Sequence, residues 1–290
     1  MRIAFIGIGN MGAPMSAHLS AAGHVVLGYD IAERSAAGVT IVGSYAEAVS
    51  DADLVITMLP DAPDVVQVYH DTLDHAKPGA LFIEGSTIDV ATAKEVAAQA
   101  HGMGFEALDA PVSGGVMGAE AATLTIMVGG SDASFERARP ILELIGKRVI
   151  HCGDTGAGQA TKVCNNMLAG INMAGTCEAI ALADRLGLDR QKLFDVVSTS
   201  SGFNWAMNVY CPAPGVGPQS PSDNDYKPGF SSELMLKDLR LSQTAARLVS
   251  AETPMGEKAE EIYAKFAEVD GQGAMDFSAL LPRYSKAKDD

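Results

Sequence analysis

Arg2-Ile3-Ala4-Phe5-Ile6-Gly7-Ile8-Gly9-Asn10-Met11-Gly12 is the stretch that decides the fold of this 290-residue chain. Residues 3–6 are a short apolar run that reads as a strand, and residues 11–22 carry helical spacing up to Gly23. Between them stands GxGxxG. Gly7 permits the tight strand-to-helix turn, Gly9 lets a pyrophosphate approach the backbone, and Gly12 lets the helix pack close to the strand. Ile8, Asn10 and Met11 fill the loop, and the helix start offers N–H groups and a positive dipole end to phosphates. The next strand, 24–29, ends at Asp30, 18 positions after Gly12. A carboxylate there accepts hydrogen bonds from both adenosine ribose hydroxyls and repels a 2′-phosphate, which favours NAD over NADP. Arg34, one helical turn on, is a phosphate candidate, but Glu33 sits beside it.

Outward from this motif, apolar runs at 54–59, 80–83, 105–108, 123–128 and 149–151 alternate with helical stretches at 61–69, 89–101 and 133–144. Such alternation means βαβ units and a mostly parallel sheet with helices on both faces. No further strand follows Gly153. Residues 156–186 read as one helix of roughly thirty residues, about 45 Å long at ~1.5 Å per residue, with Asp154 or Thr155 as its cap. Helices at 189–198, 233–250 and 255–269 follow, around a Pro- and Gly-rich loop at 211–229. The expected architecture is α/β: a doubly wound Rossmann-type domain (1–155) and an all-helical domain (156–290), joined by the long helix.

Composition narrows the function. With 47% apolar residues the chain has ample surface to bury, so global disorder is excluded. Lys and Arg sum to 21 and Asp and Glu to 36, giving −15. That charge repels phosphate backbones and anionic lipids, so neither nucleic acid nor membrane is an expected partner. An anionic ligand needs a local positive exception. Cys152, Cys164, Cys177 and Cys211 form no CxxC pair and read as reduced thiols of a cytoplasmic protein, and the six histidines lack ligand spacing, so no metal is expected. The N-terminus reads as a strand rather than a leader. The longest apolar stretch, after Lys162, is broken by Asn165, Asn166, Asn172 and Glu178.

Chemistry-bearing residues gather after the strands. Leu59-Pro60 and Ser86-Thr87 follow the third and fourth strands, where loops face a cofactor crevice. Asp109-Ala110-Pro111-Val112-Ser113-Gly114-Gly115 follows the fifth, and its Ser-Gly-Gly offers a hydroxyl and successive N–H groups, a nest for a carboxylate. Lys162 and Asn166 are i, i+4 on the long helix. A lone Lys among small and apolar neighbours is costly to bury, which implies a task. Gly156 and Gly158, one turn earlier, would let a flat ring approach. Lys237-Asp238 reads on spacing alone as a solvated pair.

Taken together, GIGNMGAPM (7–15), DAPVSGG (109–115), GAGQATKVCNNML (156–168), SSGFNW (200–205), GFSSELMLKDL (229–239) and DFS (276–278) resemble the β-hydroxyacid dehydrogenase family, most closely its valine-pathway branch. The resemblance spans essentially the whole chain. It implies NAD-dependent oxidation of 3-hydroxyisobutyrate to methylmalonate semialdehyde, with Lys162 as general acid/base and Asn166 as its helper. It further implies Ser113, Gly114 and Gly115 as the substrate-carboxylate clamp and Trp205 and Phe230 as apolar walls. Thr87, Lys237, Leu59 and Pro60 match positions near the nicotinamide end of the cofactor, and the family is dimeric or tetrameric. Tartronate semialdehyde, 3-hydroxypropionate and L-serine are the alternative substrates. Imine reductases share the architecture but usually lack the Lys. Cofactor-binding relatives without turnover lose the Lys and often gain a basic nucleic-acid-binding extension, whereas this chain keeps Lys162 and has no basic segment.

Overall fold

The computed structural model describes residues 1–285. The chain divides into two compact units, Met1–Lys162 and Val163 onward, the division falling within the helix Ala157–Arg185. Residues 286–290 of the expected second domain lie outside the described residues.

The first unit holds a nine-stranded sheet: β1 (Arg2–Ile6), β2 (Val25–Tyr29), β3 (Thr40–Ile41), β4 (Leu54–Thr57), β5 (Leu81–Glu84), β6 (Glu106–Asp109), β7 (Val112–Ser113), β8 (Leu124–Gly129) and β9 (Gly146–Gly153). Its order is β3-β2-β1-β4-β5-β6-β8-β7, with β9 on β8. From β3 to β6 every pairing is parallel; β8 runs antiparallel to β6 and β7 and parallel to β9. Successive residues of a strand point to opposite faces. Ile3, Phe5, Leu54, Ile56, Leu81 and Ile83 therefore enter one apolar core, while Ala4, Ile6, Val55 and Phe82 enter the other. Both faces are covered, which explains strands with no polar alternation.

Several helices begin where the sequence places a capping side chain. Asp61 accepts the N–H of Asp64 ahead of Ala62–Leu73, and Asp89 that of Thr92 ahead of Val90–Gly102. The long helix differs from expectation. Neither the Asp154 nor the Thr155 side chain caps it; the Asp109 carboxylate, from the end of β6, accepts the N–H groups of Gly156 (2.7 Å) and Gln159 (2.8 Å). These belong to the unpaired donors of the helix start.

The second unit is helical. Met173, Cys177 and Ile180 of the long helix, Met235, Leu236 and Leu239 of Ser232–Leu248, and Tyr263, Phe266 and Phe277 share one core. Its 211–229 loop contains a short 3₁₀ turn, Pro221–Asn224, braced by a capping box at Ser220. Among the described residues no helix is long and apolar enough to cross a membrane.

Candidate functional site

The strand registers set the site. Ile6 pairs with Tyr29 and Thr57, Thr57 with Glu84, and Glu84 with Asp109. The parallel strands thus end on one row. The residues that follow, Gly7, Asp30, Leu59-Pro60, Ser86-Thr87 and Ala110 to Gly115, leave the same carboxyl edge. The chain order reverses at β1, which lies between β2 and β4, and open α/β sheets bind ligands in the crevice at such a point.

Three glycines there have distinguishable reasons. Gly7 has φ +93, and a Cβ on it would lie 2.2 Å from the Met58 carbonyl oxygen. On Gly12 it would lie 1.9 Å from the Gly7 carbonyl oxygen. The protein's own close approach demands both. Gly9 meets no protein atom within 4 Å, so the room it leaves suits an external group such as a pyrophosphate. Asn10 beside it is exposed and Met11 half-buried against the sheet. Asp30 holds this turn: its Oδ2 accepts the Ile8 N–H and its Oδ1 the Ala32 N–H, each at 2.8 Å. A carboxylate has about four acceptor sites, so two remain for ribose hydroxyls. The donor set fits NAD. Arg34 is on an exposed loop rather than a helix, correcting the one-turn spacing.

A buried polar network lies under the next loops. Glu84 accepts from the Thr57 hydroxyl and from the Ser86 N–H (2.6 Å); the Ser86 hydroxyl accepts from the Leu59 N–H at 2.7 Å. Gln159 then ties the long helix to this edge, donating to the Ser86 carbonyl (2.7 Å) and accepting from the Ile88 N–H (3.3 Å). Burial pushes the Glu84 carboxyl up to about 7 against the pull of its Ser86 and Thr57 hydrogen bonds, and the Asp109 charge adds to the rise. Burial also raises Asp109, opposed by the N–H donors of the helix it caps. Thr87 is half-buried, and Leu59 is more enclosed than Pro60.

Lys162 is one turn beyond Asp109's grip. It is 6% exposed, and its Nζ donates to the Val112 carbonyl at 2.8 Å. The amine therefore sits inside the protein, at the start of β7, on the same sheet edge as the glycine-rich loop. Gly158 serves a different purpose from the expected one: a Cβ there would lie 2.3 Å from the Met127 carbonyl oxygen and 2.8 Å from that of Asp109. A Cβ on Gly156 would meet Lys94. Gly158 thus lets the helix approach the sheet, while Gly156, at φ +91, sits against the helix Val90–Gly102. Beyond Val112, Ser113 closes β7 and the helix Gly115–Glu120 begins at once, with Gly114 at φ +138 and Gly115 at φ +62. The nest is thus a strand-to-helix junction.

In the second unit, Asn166 is 6% exposed; its Nδ2 donates to Asp238 Oδ2 at 2.5 Å and its Oδ1 accepts from Asn165 at 2.9 Å. Asp238 is buried, which corrects its reading as half of a solvated pair; only Lys237 is partly exposed. Buried positions 235, 238, 239, 242, 243 and 246 form one helical stripe, so an Asp on an apolar stripe was the available signal. Trp205 and Phe230 belong to one aromatic cluster. Trp205 stacks on Tyr210 (4.8 Å, 21°), Tyr210 leans on Phe277 (5.4 Å), and Phe277 meets Phe230 edge-on (5.8 Å, 85°). No group of three or more metal-ligating side chains occurs among the described residues.

Residues 2–153 match the family model described as the NAD binding domain of 6-phosphogluconate dehydrogenase. Residues 156–284 match one described as NAD-binding of NADP-dependent 3-hydroxyisobutyrate dehydrogenase. A protein of Mycobacterium tuberculosis named probable 3-hydroxyisobutyrate dehydrogenase is 51% identical, over 96% of each chain. One of Pseudomonas aeruginosa named NAD-dependent L-serine dehydrogenase is 44% identical, again over 96% of each. A solved structure of the Mycobacterium tuberculosis 3-hydroxyisobutyrate dehydrogenase with L-serine superposes with a TM-score of 0.94 at 50% identity, covering 98% of this chain and 99% of that one.

Proposed function

The chain belongs to the 3-hydroxyisobutyrate dehydrogenase family of NAD-dependent hydroxyacid dehydrogenases, and from that premise we propose that it oxidises 3-hydroxyisobutyrate to methylmalonate semialdehyde in valine breakdown. The observation that carries the reading is the enclosed Lys162 amine, bonded to Val112 beside the Ser113–Gly115 junction. A base and an anion nest then come within a few residues of each other on the cofactor edge.

The substrate carboxylate is held by the Ser113 hydroxyl and the N–H groups of Gly114 and Gly115. Lys162 takes the proton of the C3 hydroxyl, and returns it to the aldehyde oxygen in the reverse direction. Asn166, held by Asp238, hydrogen-bonds the substrate, and Trp205 and Phe230 wall its methyl group. Gly7 to Gly12 and Asp30 bind the adenosine half and pyrophosphate of the cofactor; Leu59, Pro60, Thr87 and Lys237 bind its nicotinamide half. When bound, NAD supplies the acceptor for the hydride leaving C3. Holding the hydroxyl in line with Lys162 contributes through orientation, and the proton transfer adds roughly 10²–10⁴-fold. The division at 155/156, a homodimeric or homotetrameric assembly and a cytoplasmic location complete the proposal.

L-Serine is the second reading, because a relative at 44% identity bears that activity in its name and a 50% identical structure is described with L-serine. A panel of 3-hydroxyisobutyrate, L-serine, 3-hydroxypropionate and 4-hydroxybutyrate, each with NAD and NADP, plus tartronate semialdehyde with NADH, decides between them. The expected result is the highest kcat/KM for 3-hydroxyisobutyrate with NAD. A higher value for L-serine replaces the first reading with the second.

A further inference from the structure

Asp276 lies at the bottom of the aromatic cluster, fully enclosed at 0% exposure. Five donors converge on its carboxylate. Oδ2 accepts from the Tyr210 hydroxyl (2.8 Å), the Gly229 N–H (3.0 Å) and the Phe230 N–H (3.1 Å). Oδ1 accepts from the N–H (3.0 Å) and hydroxyl (2.6 Å) of Ser278. The first three donors matter most. Tyr210 is the ring on which Trp205 stacks, and Gly229-Phe230 is the loop that presents the Phe230 ring. The backbone around them is fastened as well: Phe277 N–H donates to the Phe230 carbonyl at 3.0 Å, and Ser232 N–H to the Met275 carbonyl at 2.7 Å. Trp205, by contrast, is 48% exposed, and its ring stacks on Tyr210. Burial and the nearby Asp276 charge hold the Tyr210 phenol well above its ordinary range, so it remains a donor.

We propose that Asp276 is a positioning residue that sets both apolar walls, Trp205 through Tyr210 and Phe230 through its backbone, and thereby fixes which substituent at C2 of the hydroxyacid is accepted. This rests on the reading of Trp205 and Phe230 as substrate walls. A buried anion is costly unless hydrogen-bonded throughout, and this one spends three of its five bonds on those walls. Loosening it moves both aromatic faces together.

The test uses Tyr210→Phe, which deletes one hydroxyl and keeps the stacked ring, alongside Asp276→Asn. Substrates are 3-hydroxyisobutyrate and 3-hydroxypropionate, which differ by the C2 methyl. A pocket distinguishes one methyl by roughly 10–200-fold, and Tyr210→Phe is expected to lower the kcat/KM ratio of the pair by about tenfold. The loss falls in KM for the hydroxyacid, with KM for NAD unchanged. Trp205 is the only tryptophan, so acrylamide quenching of its emission rises in both variants even without substrate. Trp205→Ala is the control for the walls themselves. An unchanged ratio in Tyr210→Phe, with Trp205→Ala still shifting it, overturns the role of Asp276. A ratio that ignores Trp205→Ala as well overturns the wall reading beneath it.

Discussion

Glu84→Gln should change how stability depends on pH. The Glu84 carboxyl is 1% exposed, and burial lifts it from 4.5 to about 7. Below 4.5 the acid is protonated in both folded and unfolded chains. As pH rises, the unfolded chain loses the proton first, and the folded state is progressively disfavoured until the native group also ionises near 7. The stability associated with the raised carboxyl is thus present below 4.5 and lost through about 7, a total of about 3 kcal/mol. Glutamine stays neutral and mimics the protonated acid: its carbonyl can accept from Ser86 and its amide can donate to Thr57. Urea unfolding followed by far-UV circular dichroism measures this, since the sole tryptophan lies in the other unit. Between about pH 5 and pH 8.5 the variant should gain about 2–3 kcal/mol relative to the parent. A constant difference across that range, or a variant that weakens as pH rises, would show that the Glu84 carboxyl is not raised in the folded chain.

Three further substitutions test the nucleotide edge. Asp30→Ala removes the acceptor for Ile8, Ala32 and the ribose; KM for NAD should rise by about tenfold or more and the preference for NAD over NADP should shrink, and unchanged preference in steady-state assays would show that Asp30 does not read the ribose. Gly12→Ala places a Cβ 1.9 Å from a carbonyl oxygen and should cost about 1–3 kcal/mol of stability. Gly9→Ala, with open space around it, should leave stability within about 0.5 kcal/mol yet weaken NAD binding; calorimetry showing both variants equally destabilised would remove the distinction.

Much of this was legible locally. Gly7, Gly9, Gly12 and Asp30 have sequence spacing, and Asp61 and Asp89 cap helices within three residues of themselves. Elements too short to show a period were missed: β3, β7 and the helices Tyr45–Val49 and Gly115–Glu120. Other features are long-range. The cap of the long helix comes from Asp109, 47 residues before Gly156, and is invisible to any local rule. Asp276 stands 66 residues from Tyr210, so DFS shows as a motif without showing what it holds. Asp238 was legible in principle, as a polar residue on a buried stripe, but its neighbour Lys237 suggested an exposed pair. Gly158 shows the opposite failure, where a correct choice of residue carried the wrong reason.

Lys162→Ala, assayed for turnover of 3-hydroxyisobutyrate and for NAD binding by calorimetry on the same preparation, tests the chemistry most directly. The expected result is kcat lower by about 10²–10⁴-fold with the dissociation constant for NAD nearly unchanged. Turnover that survives, or binding lost in proportion to it, would contradict a base at this position.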